Sequence, residues 1–434
     1  MLRVGCAEKI IDVPLFAELY GYGHFDGRRN QGVQDPLYAR GYSFFDGKKR
    51  ALIIYSDICV SNTEACRVMR AEISARFRLD PDGIAFVATH THCAPPVGYT
   101  GYTFGVADPV FQENWRRAVL EVAEKALLDE EEIVSATAGK APLAAPIGRN
   151  RVDREKNVTD DAIRWVKLCR ADKSVKLLLH NHGVHGISSN GPMVHLASAD
   201  WMGFANQKIK EQKVADMPLF LLGPAGDINP TKTCLDVKSV NGNECTATPY
   251  LEYLVSDLDK GEKIDLSGVD YKFETVEMPT VPQSVAELRA DAQALRDTDK
   301  KMNVNYWSCG AKYIDEMALL AEKGYGLGAK LDFQVIKIGD FAIYFVPGEL
   351  YIAPGRELLA RAKVKYPLIA TVSNADGGYF FDETSAKRYP NAMSKDDRMF
   401  GFYEIYGYMY RRHFKYCDNV AEFVINQLLK MEEM

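Results

Sequence analysis

Short apolar runs that end in polar loops are the strongest pattern in the sequence. The run IAFVA at 84–88 leads into His90 and His92 and then into a Pro-rich loop that no regular element can continue. Such a run predicts a buried strand. The pattern recurs in VKLLLHNHGVH, PLFLLGPAGDINP, FAIYFVPGEL and LIATVSNADGGYFF. In α/β sheets, ligands bind beyond strand ends where loops converge, so we predict one site assembled from five strand ends.

Helical periodicity separates several of these strands. Asn62 and Thr63 offer an N-cap to a run whose apolar positions recur at helical spacing as far as Phe77. Asp108-Pro109 begins a second helical run. Segment 284–324 is also helical in pattern, with a break near 303–310. We therefore expect helices to flank the strands.

The order of these elements predicts an α/β fold, with mixed β-sheets flanked by helices and a site at the C-terminal ends of the strands. Asp46-Gly47 lies between two apolar runs and predicts a hairpin. Residues 231–283 are polar and irregular, and their pattern assigns no element. Since no Pro- or Ser-rich linker interrupts the chain, we predict a single domain over residues 1–434, with 284–324 as a helical insertion.

Charge and composition exclude several classes of partner. Lys and Arg number 53 against 59 Asp and Glu, and the formal charge of −6 includes no long block of either sign. This balance argues against a nucleic-acid partner and against a basic membrane-docking face. No run reaches the roughly 18 apolar residues of a membrane span, so we expect no stable membrane insertion.

The cysteines and the N-terminus predict a cytoplasmic location. The nine cysteines are scattered without a CxxC pair, which argues against a disulfide framework or a cysteine zinc knuckle. The first residues, MLRVGCAEKIIDVP, lack the basic and apolar segments of a signal peptide. We expect a reducing compartment.

Histidines at two strand ends are the first candidates for chemistry. Residues two apart in a strand share a face, so His90 and His92 are expected to point the same way, which suits a metal ion. A pair of hydrogen-bonded structural histidines explains the same motif. His180, His182 and His185 follow the second run, and we expect at least one to be a ligand.

Two further loops are ambiguous from the residues alone. GDINP, with Asp227, follows glycines that allow the backbone to approach a bound group, but a tight turn explains it equally well. It is not a phosphate loop, because GxxxxGK is absent. The Arg-rich loop at 146–161 is typical of solvated surface.

Taken together, the motifs resemble the catalytic domain of neutral ceramidases. The resemblance extends from Gly5 to about Glu404 and comprises THTH with its Pro-rich loop, an NR pair, VH, SADxxG, GDINP, PGE, SNxxxxY and a later Tyr-Glu, in that order. It implies the ceramidase-like fold and one Zn²⁺ per chain. The ligands that it implies are His90, His185, Glu349 and Tyr379.

The resemblance also implies roles for residues around the metal. His92 would face the reacting carbonyl, with Tyr403 as a second hydrogen-bond donor, and Arg151 would orient the substrate. We expect the remaining members of the site to contact substrate or to orient the ligands from behind. These are Asn229, Asp227, Asp200 and His182, with His180 as a further candidate.

Two departures from the family shape the functional prediction. The family has a catalytic serine where this chain has Asn229, so hydrolysis is expected to use metal-activated water. The chain also ends about where the family continues into an immunoglobulin-like domain. We therefore predict a zinc-dependent hydrolase that acts on a small soluble amide, ester or lactone. Tyrosines 20, 22, 99 and 102 suit a sugar- or cyclitol-derived substrate.

Four alternatives are left open by the sequence. One is a ceramidase that cleaves N-acylsphingosine. Another is a thiol hydrolase that uses Cys93, where the family usually has Ser. A third is a non-catalytic protein that binds a metal or ligand on the same scaffold. The last is a protein whose histidines are structural, so that the resemblance covers the fold only. The sequence carries no signal for the oligomeric state.

Overall fold

The strands are described first, because they position the site. The computed structural model describes residues 1–22, 27–98, 106–189, 192–234, 242–302, 307–388, 404–405 and 414–433. Its strands are β1 Arg3–Ile11, β2 Leu37–Phe45, β3 Arg50–Ser56, β4 Ile84–Ala88, β5 Glu131–Glu132, β6 Ser135–Pro142, β7 Gly148–Asn150, β8 Ala162–Cys169, β9 Val175–His182, β10 Met217–Leu222, β11 Ile228–Pro230, β12 Glu262–Lys263, β13 Val269–Glu277, β14 Lys330–Ile338, β15 Phe341–Phe345, β16 Glu349–Leu350, β17 Tyr366–Ala370 and β18 Tyr379–Phe380.

Helices lie between the strands along the chain and at its C-terminal end. They are α1 Thr63–Phe77, α2 Pro109–Leu128, α3 Asp200–Glu211, α4 Gly242–Asp257, α5 Val285–Met302, α6 Trp307–Glu322, α7 Ile352–Arg361, α8 Glu383–Arg388 and α9 Val420–Glu432.

Mixed sheets carry the fold, as the sequence predicts. Two of them have five strands each, in the orders β4-β3-β2-β1-β5 and β10-β9-β8-β6-β12. A four-stranded sheet has the order β13-β14-β15-β17, and the short pairs are β11-β7 and β16-β18. The pairs β3-β4, β9-β10, β15-β17 and β16-β18 are parallel, whereas the other pairs are antiparallel.

The predicted local elements are largely confirmed. β2 and β3 form the expected hairpin around Asp46-Gly47. Asn62 caps α1 by accepting a hydrogen bond from the backbone N–H of Ala65, and Asp108 caps α2. Segment 284–324 contains the two helices α5 and α6. The predicted break at 303–310 is too long, because α6 already begins at Trp307, and residues 303–306 lie outside the described residues. The single-domain assignment stays a prediction.

Residues 231–283 are more regular than their sequence suggests. They contain helix α4 and strand β13. Pro249 lies inside α4, and β13 is paired along its length with β14. The helix and the strand are held by tertiary packing and sheet pairing, which a local pattern does not show.

Connections between the sheets bring strand ends together. The C-terminal end of β4 forms a bridge from Val87 to Ser373, in the loop after β17. Beside it, the backbone N–H of Thr371 donates to the carbonyl of Leu222, at the end of β10. The loops that follow β4, β10 and β17 are therefore neighbours, and this edge carries the site.

One large buried cluster of apolar side chains extends through all the main sheets. Helices α5 and α6 add a smaller separate cluster that includes Leu288, Leu295, Ile314 and Met317. Within the described ranges, none of the helices has the length and apolar character needed to cross a bilayer.

Helix α2 packs so closely on β1 and β2 that a glycine is required at the contact. A Cβ added at Gly41 would lie 2.5 Å from the carbonyl oxygen of Val122, in the backbone of α2. We therefore expect Gly41→Ala to lower the free energy of unfolding by about 1–3 kcal/mol, through forced separation of helix and sheet. Chemical denaturation measures the change. Gly326→Ala is the matched control, since nothing lies within 4 Å of its Cβ, and an equal loss there would contradict the interpretation.

Candidate metal centre

Three buried side chains direct their terminal atoms at one point. The Nε2 atoms of His90 and His185 lie 3.1 Å apart. Oε2 of Glu349 lies 3.3 Å from the first nitrogen and 3.2 Å from the second. All three side chains are buried, and the sequence predicts all three as ligands.

The histidine loops meet in a way that strand alternation does not explain. β4 ends at Ala88, and His90 has a φ of 68°, so His90 and His92 are not successive residues on one face of a strand. That part of the sequence interpretation is wrong. Instead, a bridge from Thr91 to Gly186 aligns the two loops, and the backbone N–H of His92 donates to the carbonyl of Gly186.

Backbone carbonyls fix the tautomer of both predicted histidine ligands. Nδ1 of His90 lies 2.7 Å from the carbonyl oxygen of Cys59, and Nδ1 of His185 lies 2.6 Å from that of Ala225. A carbonyl only accepts hydrogen bonds, so each Nδ1 carries a proton and, in the neutral ring, each Nε2 presents a lone pair. This is the usual arrangement behind a metal-bound histidine.

The two-stranded sheet of β16 and β18 places Glu349 and Tyr379 side by side. They are direct partners in the parallel pair of β16 and β18. The backbone N–H of Glu349 also donates to the carbonyl of Gly378. The predicted fourth ligand, Tyr379, is therefore next to the predicted third.

Arg151 is buried, in contrast to the solvated loop that its neighbours predict. Its Nη2 donates to the carbonyl of Gly226 at 2.6 Å and to the hydroxyl of Tyr379 at 3.3 Å. Its Nε lies 3.2 Å from Oε1 of Glu404. Arg151 thus contacts a predicted ligand directly.

The turn at 225–227 is a support that sequence reasoning missed. Its three successive carbonyls accept hydrogen bonds from Nδ1 of His185, from Nη2 of Arg151 and from the backbone N–H of Arg151. A Cβ on Gly226 would lie 2.8 Å from the carbonyl oxygen of Glu349. The glycine-rich sequence there was the only signal, and it did not reveal which carbonyls are used.

His92 lies beside the three converging side chains. Its Nε2 is 3.4 Å from Nε2 of His90, and its ring meets that of Tyr22 edge to face at 5.0 Å between centroids. Its Nδ1 has no hydrogen-bond partner among the described residues. Tyr403, the other predicted donor, lies outside the described residues, as do Tyr99 and Tyr102.

Asp227 is hydrogen-bonded to residues that lie beside the candidate metal site. Its carboxylate accepts hydrogen bonds from the backbone N–H of Ile352 and from the side chain of Asn150. Burial raises the pKa of Asp227 to about 7, although these hydrogen bonds and Arg151 oppose the increase. Asn229 follows on β11, and its buried Oδ1 has no hydrogen-bond partner within the described ranges.

Asp200 holds the loop that carries His185. It accepts hydrogen bonds from the backbone N–H groups of Ser188 and Ser189, and the Trp201 indole donates to the carbonyl of His185. Asp200 therefore acts on the loop backbone and not on the imidazole.

The other two histidines of the second run are turned toward the core. Nδ1 of His182 lies 3.1 Å from the carbonyl oxygen of Ala162 and 3.4 Å from Asp160. His180 is hydrogen-bonded to Tyr250 and Asn206. Neither contacts a candidate ligand through the hydrogen bonds of the described residues.

The electrostatics of the cluster favour a bound cation. Burial has the largest single effect on His90 and lowers its pKa, but Glu349 and Cys59 together outweigh burial and raise the pKa well above its usual range. Burial and the charge of Arg151 lower the pKa of His185 to about 4. Burial and the two neighbouring imidazoles hold the pKa of His92 well below its usual range. His92 and His185 are therefore neutral at pH 7.

The residues present fit a zinc ion. Ligand atoms about 2.0–2.1 Å from a tetrahedral zinc lie roughly 3.3–3.4 Å apart, close to the separations of the three atoms here. Apart from the two ring nitrogens, the buried Oε2 of Glu349 has no hydrogen-bond partner among the described residues. Two neutral imidazoles and a carboxylate form a common donor set for this metal.

Cys59 belongs to a second possible group of ligands with His90 and His92. Its Sγ lies 3.8 Å from Nδ1 of His90, which is the protonated nitrogen in the arrangement above. Burial raises the pKa of Cys59, so its thiol is neutral. The group that contains Glu349 is the better metal site.

Comparison with known proteins agrees with the architecture. No protein-family model matches the sequence, and no curated protein sequence matches it. The structure is similar to the crystal structure of neutral ceramidase from Pseudomonas aeruginosa, with a TM-score of 0.73 and 14% sequence identity over 100% of this chain and 74% of that one. A ceramidase complexed with C2 gives a TM-score of 0.72 and 14% identity over 99% and 74% of the two chains. The chain therefore has the neutral ceramidase fold, as its motifs predict.

Removal of His185 is expected to abolish metal binding. Elemental analysis of untagged protein should find about one zinc per chain in the wild type and none in His185→Ala, because the three ligands that remain of the predicted four hold zinc too weakly to retain it through purification. His195→Ala is the control, since His195 belongs to neither group of possible ligands. Equal metal content in wild type and His185→Ala would contradict the assignment.

Metal affinity is expected to depend on pH. Zinc binds the deprotonated imidazole, and the raised pKa of His90 means that a proton competes with the ion at neutral pH. Apparent affinity should therefore rise about tenfold per pH unit below the pKa of His90, for one displaced proton. Chelator competition between roughly pH 5.5 and 8 measures this slope, and a flat profile would show that no such proton is displaced.

Proposed function

We propose that the protein is a metal-dependent hydrolase that cleaves an amide, an ester or a lactone. The observation that carries the proposal is the convergence of His90, His185 and Glu349 on one point, with Tyr379 beside Glu349. The neutral ceramidase fold of the whole chain supports the same reaction class. On this view Tyr379 is the fourth ligand.

A zinc ion held by His90, His185, Glu349 and Tyr379 would supply a Lewis acid for the substrate carbonyl and would lower the pKa of water near to neutral pH. The residues of the chain prepare the site for this chemistry. The carbonyls of Cys59 and Ala225 aim the two imidazoles, and burial of the cluster excludes bulk water, which strengthens each electrostatic contact.

His92 is the proposed stabiliser of charge on the carbonyl oxygen. Its low pKa keeps the ring neutral, with one N–H to donate and no competing positive charge beside the metal. As water adds to the carbonyl carbon, the oxygen gains negative charge and the hydrogen bond from His92 strengthens. The proton that the attacking water loses passes to the leaving nitrogen or oxygen as its bond to carbon breaks, so the products are the carboxylic acid and the amine or alcohol.

Substrate size separates two candidate activities. Asn229 cannot act as the nucleophile that the family's serine supplies, which favours attack by metal-activated water and leaves the size of the substrate open. Ceramide is at least as well supported as a small soluble substrate, because both similar structures are ceramidases and one of them is complexed with C2. The cytoplasmic location stays a prediction.

The thiol-hydrolase alternative is disfavoured by the surroundings of Cys93. The side chain is buried, and burial raises the pKa of Cys93 to about 12. A neutral, enclosed thiol is a poor nucleophile. The non-catalytic alternative predicts metal binding without turnover, which the following assay addresses.

Hydrolysis is expected to require His92 but not the thiol. We predict that the zinc-loaded wild type turns over at least one member of a panel of short-chain ceramide, small N-acyl amides, esters and lactones. His92→Phe should lower kcat about 10²–10³-fold, the usual effect of removing one donor to a developing oxyanion. Cys93→Ser is the control and should retain activity.

Product formation by chromatography measures each rate, and zinc content confirms that His92→Phe is loaded. Turnover of ceramide alone would favour the ceramidase alternative. No turnover by zinc-loaded wild type across the panel would favour the binding-protein alternative. Loss of activity in Cys93→Ser alone would favour the thiol hydrolase.

A further inference from the structure

The resemblance predicts that Arg151 orients the substrate, but the contacts of its side chain are with groups of the protein. Nη2 donates both to the carbonyl of Gly226 and to the hydroxyl of Tyr379, at 2.6 Å and 3.3 Å. Nε faces the carboxylate of Glu404 at 3.2 Å. The guanidinium is thus engaged on two sides by groups of the protein itself.

Both members of the ion pair are removed from solvent. The Arg151 side chain is 9% exposed and that of Glu404 is not exposed at all. A buried arginine without its carboxylate is an uncompensated charge, which is strongly unfavourable. Glu404 therefore fixes the orientation of the Arg151 guanidinium. The short hydrogen bond to the carbonyl of Gly226 fixes the position of Nη2.

Tyr379 needs such a restraint. Sheet pairing with Glu349 positions its backbone, but its hydroxyl lies at the far end of a side chain with two rotatable bonds. Arg151 acts at that end: Nη2 donates to the hydroxyl, and the guanidinium carbon lies 5.7 Å from the ring centroid. Rotation of the ring away from Arg151 would break both contacts.

We propose that Arg151 and Glu404 are positioning residues. This inference rests on the proposed function, in which Tyr379 is a metal ligand. They clamp the phenol oxygen of Tyr379 within reach of the ion, and Arg151 acts on the substrate only through that oxygen. The pair acts on the metal centre and does not contact the substrate.

A double-mutant cycle tests the clamp through zinc affinity, which does not require turnover. The variants are Tyr379→Phe, Arg151→Lys, Glu404→Gln, and each of the last two combined with Tyr379→Phe. Chelator competition gives the zinc dissociation constant, and thermal unfolding of the metal-free proteins gives stability. Arg40→Lys is the matched control, because Arg40 is a buried arginine paired with Asp57 that contacts none of the predicted ligands.

We expect Tyr379→Phe to weaken zinc binding about 10–100-fold, and Arg151→Lys or Glu404→Gln to weaken it about tenfold. In the Tyr379→Phe background, the last two changes should have no further effect, because the oxygen that they position is gone. Arg40→Lys should leave zinc affinity unchanged. Should Glu404→Gln fail to fold, Arg151→Lys carries the test alone.

Other results would overturn the clamp. Equal losses in both backgrounds would mean that the pair supports the fold in general. Unchanged zinc affinity in Arg151→Lys, with a raised KM, would assign Arg151 to the substrate. Unchanged affinity in Tyr379→Phe would remove Tyr379 from the ligand set and the clamp with it. Failure of the proposed function is separate, since it appears as a wild type that binds no zinc or hydrolyses nothing.

Discussion

The site depends on a buried carboxylate that faces the Nε2 atoms of two imidazoles. Oε2 of Glu349 lies within 3.3 Å of Nε2 of both His90 and His185, and the backbone carbonyls that hold each Nδ1–H leave Nε2 as the nitrogen that takes up a proton or a metal ion. Such a grouping is electrostatically incomplete, because a buried negative charge requires a compensating positive one. In the metal-free protein a proton on His90 supplies that charge, and a divalent cation that displaces the proton would supply it at the point where the three atoms converge.

The rest of the fold keeps Nε2 of His90 and of His185 directed at the point where the three ligand atoms converge. The carbonyls of Cys59 and Ala225 hold the imidazole N–H groups, and the bridge from Thr91 to Gly186 joins the two histidine loops. These groups come from distant parts of the chain, so the sheets must be assembled before the site exists. The large continuous apolar core provides the rigidity that this alignment needs.

Much of the architecture follows from local patterns. The strand before each loop, the hairpin at Asp46-Gly47 and the capped helices are encoded in short stretches whose periodicity survives tertiary packing. Residues 231–283 illustrate the limit, because α4 and β13 there depend on neighbouring elements more than on their own propensity. The position of His90 is similar: its left-handed backbone and the Thr91–Gly186 bridge, not strand alternation, bring its ring next to that of His92.

The sequence by itself determined which residue types end the buried strands, and the order of its motifs identified His90, His185, Glu349 and Tyr379 as candidates. It did so because strand patterns and loop motifs are local, within a dozen residues. Only the tertiary structure decided which atoms of these side chains converge, that Arg151 is buried against Glu404, and that His180 and His182 face the core. Those facts depend on contacts between residues far apart in the chain, for which one sequence carries no local signal.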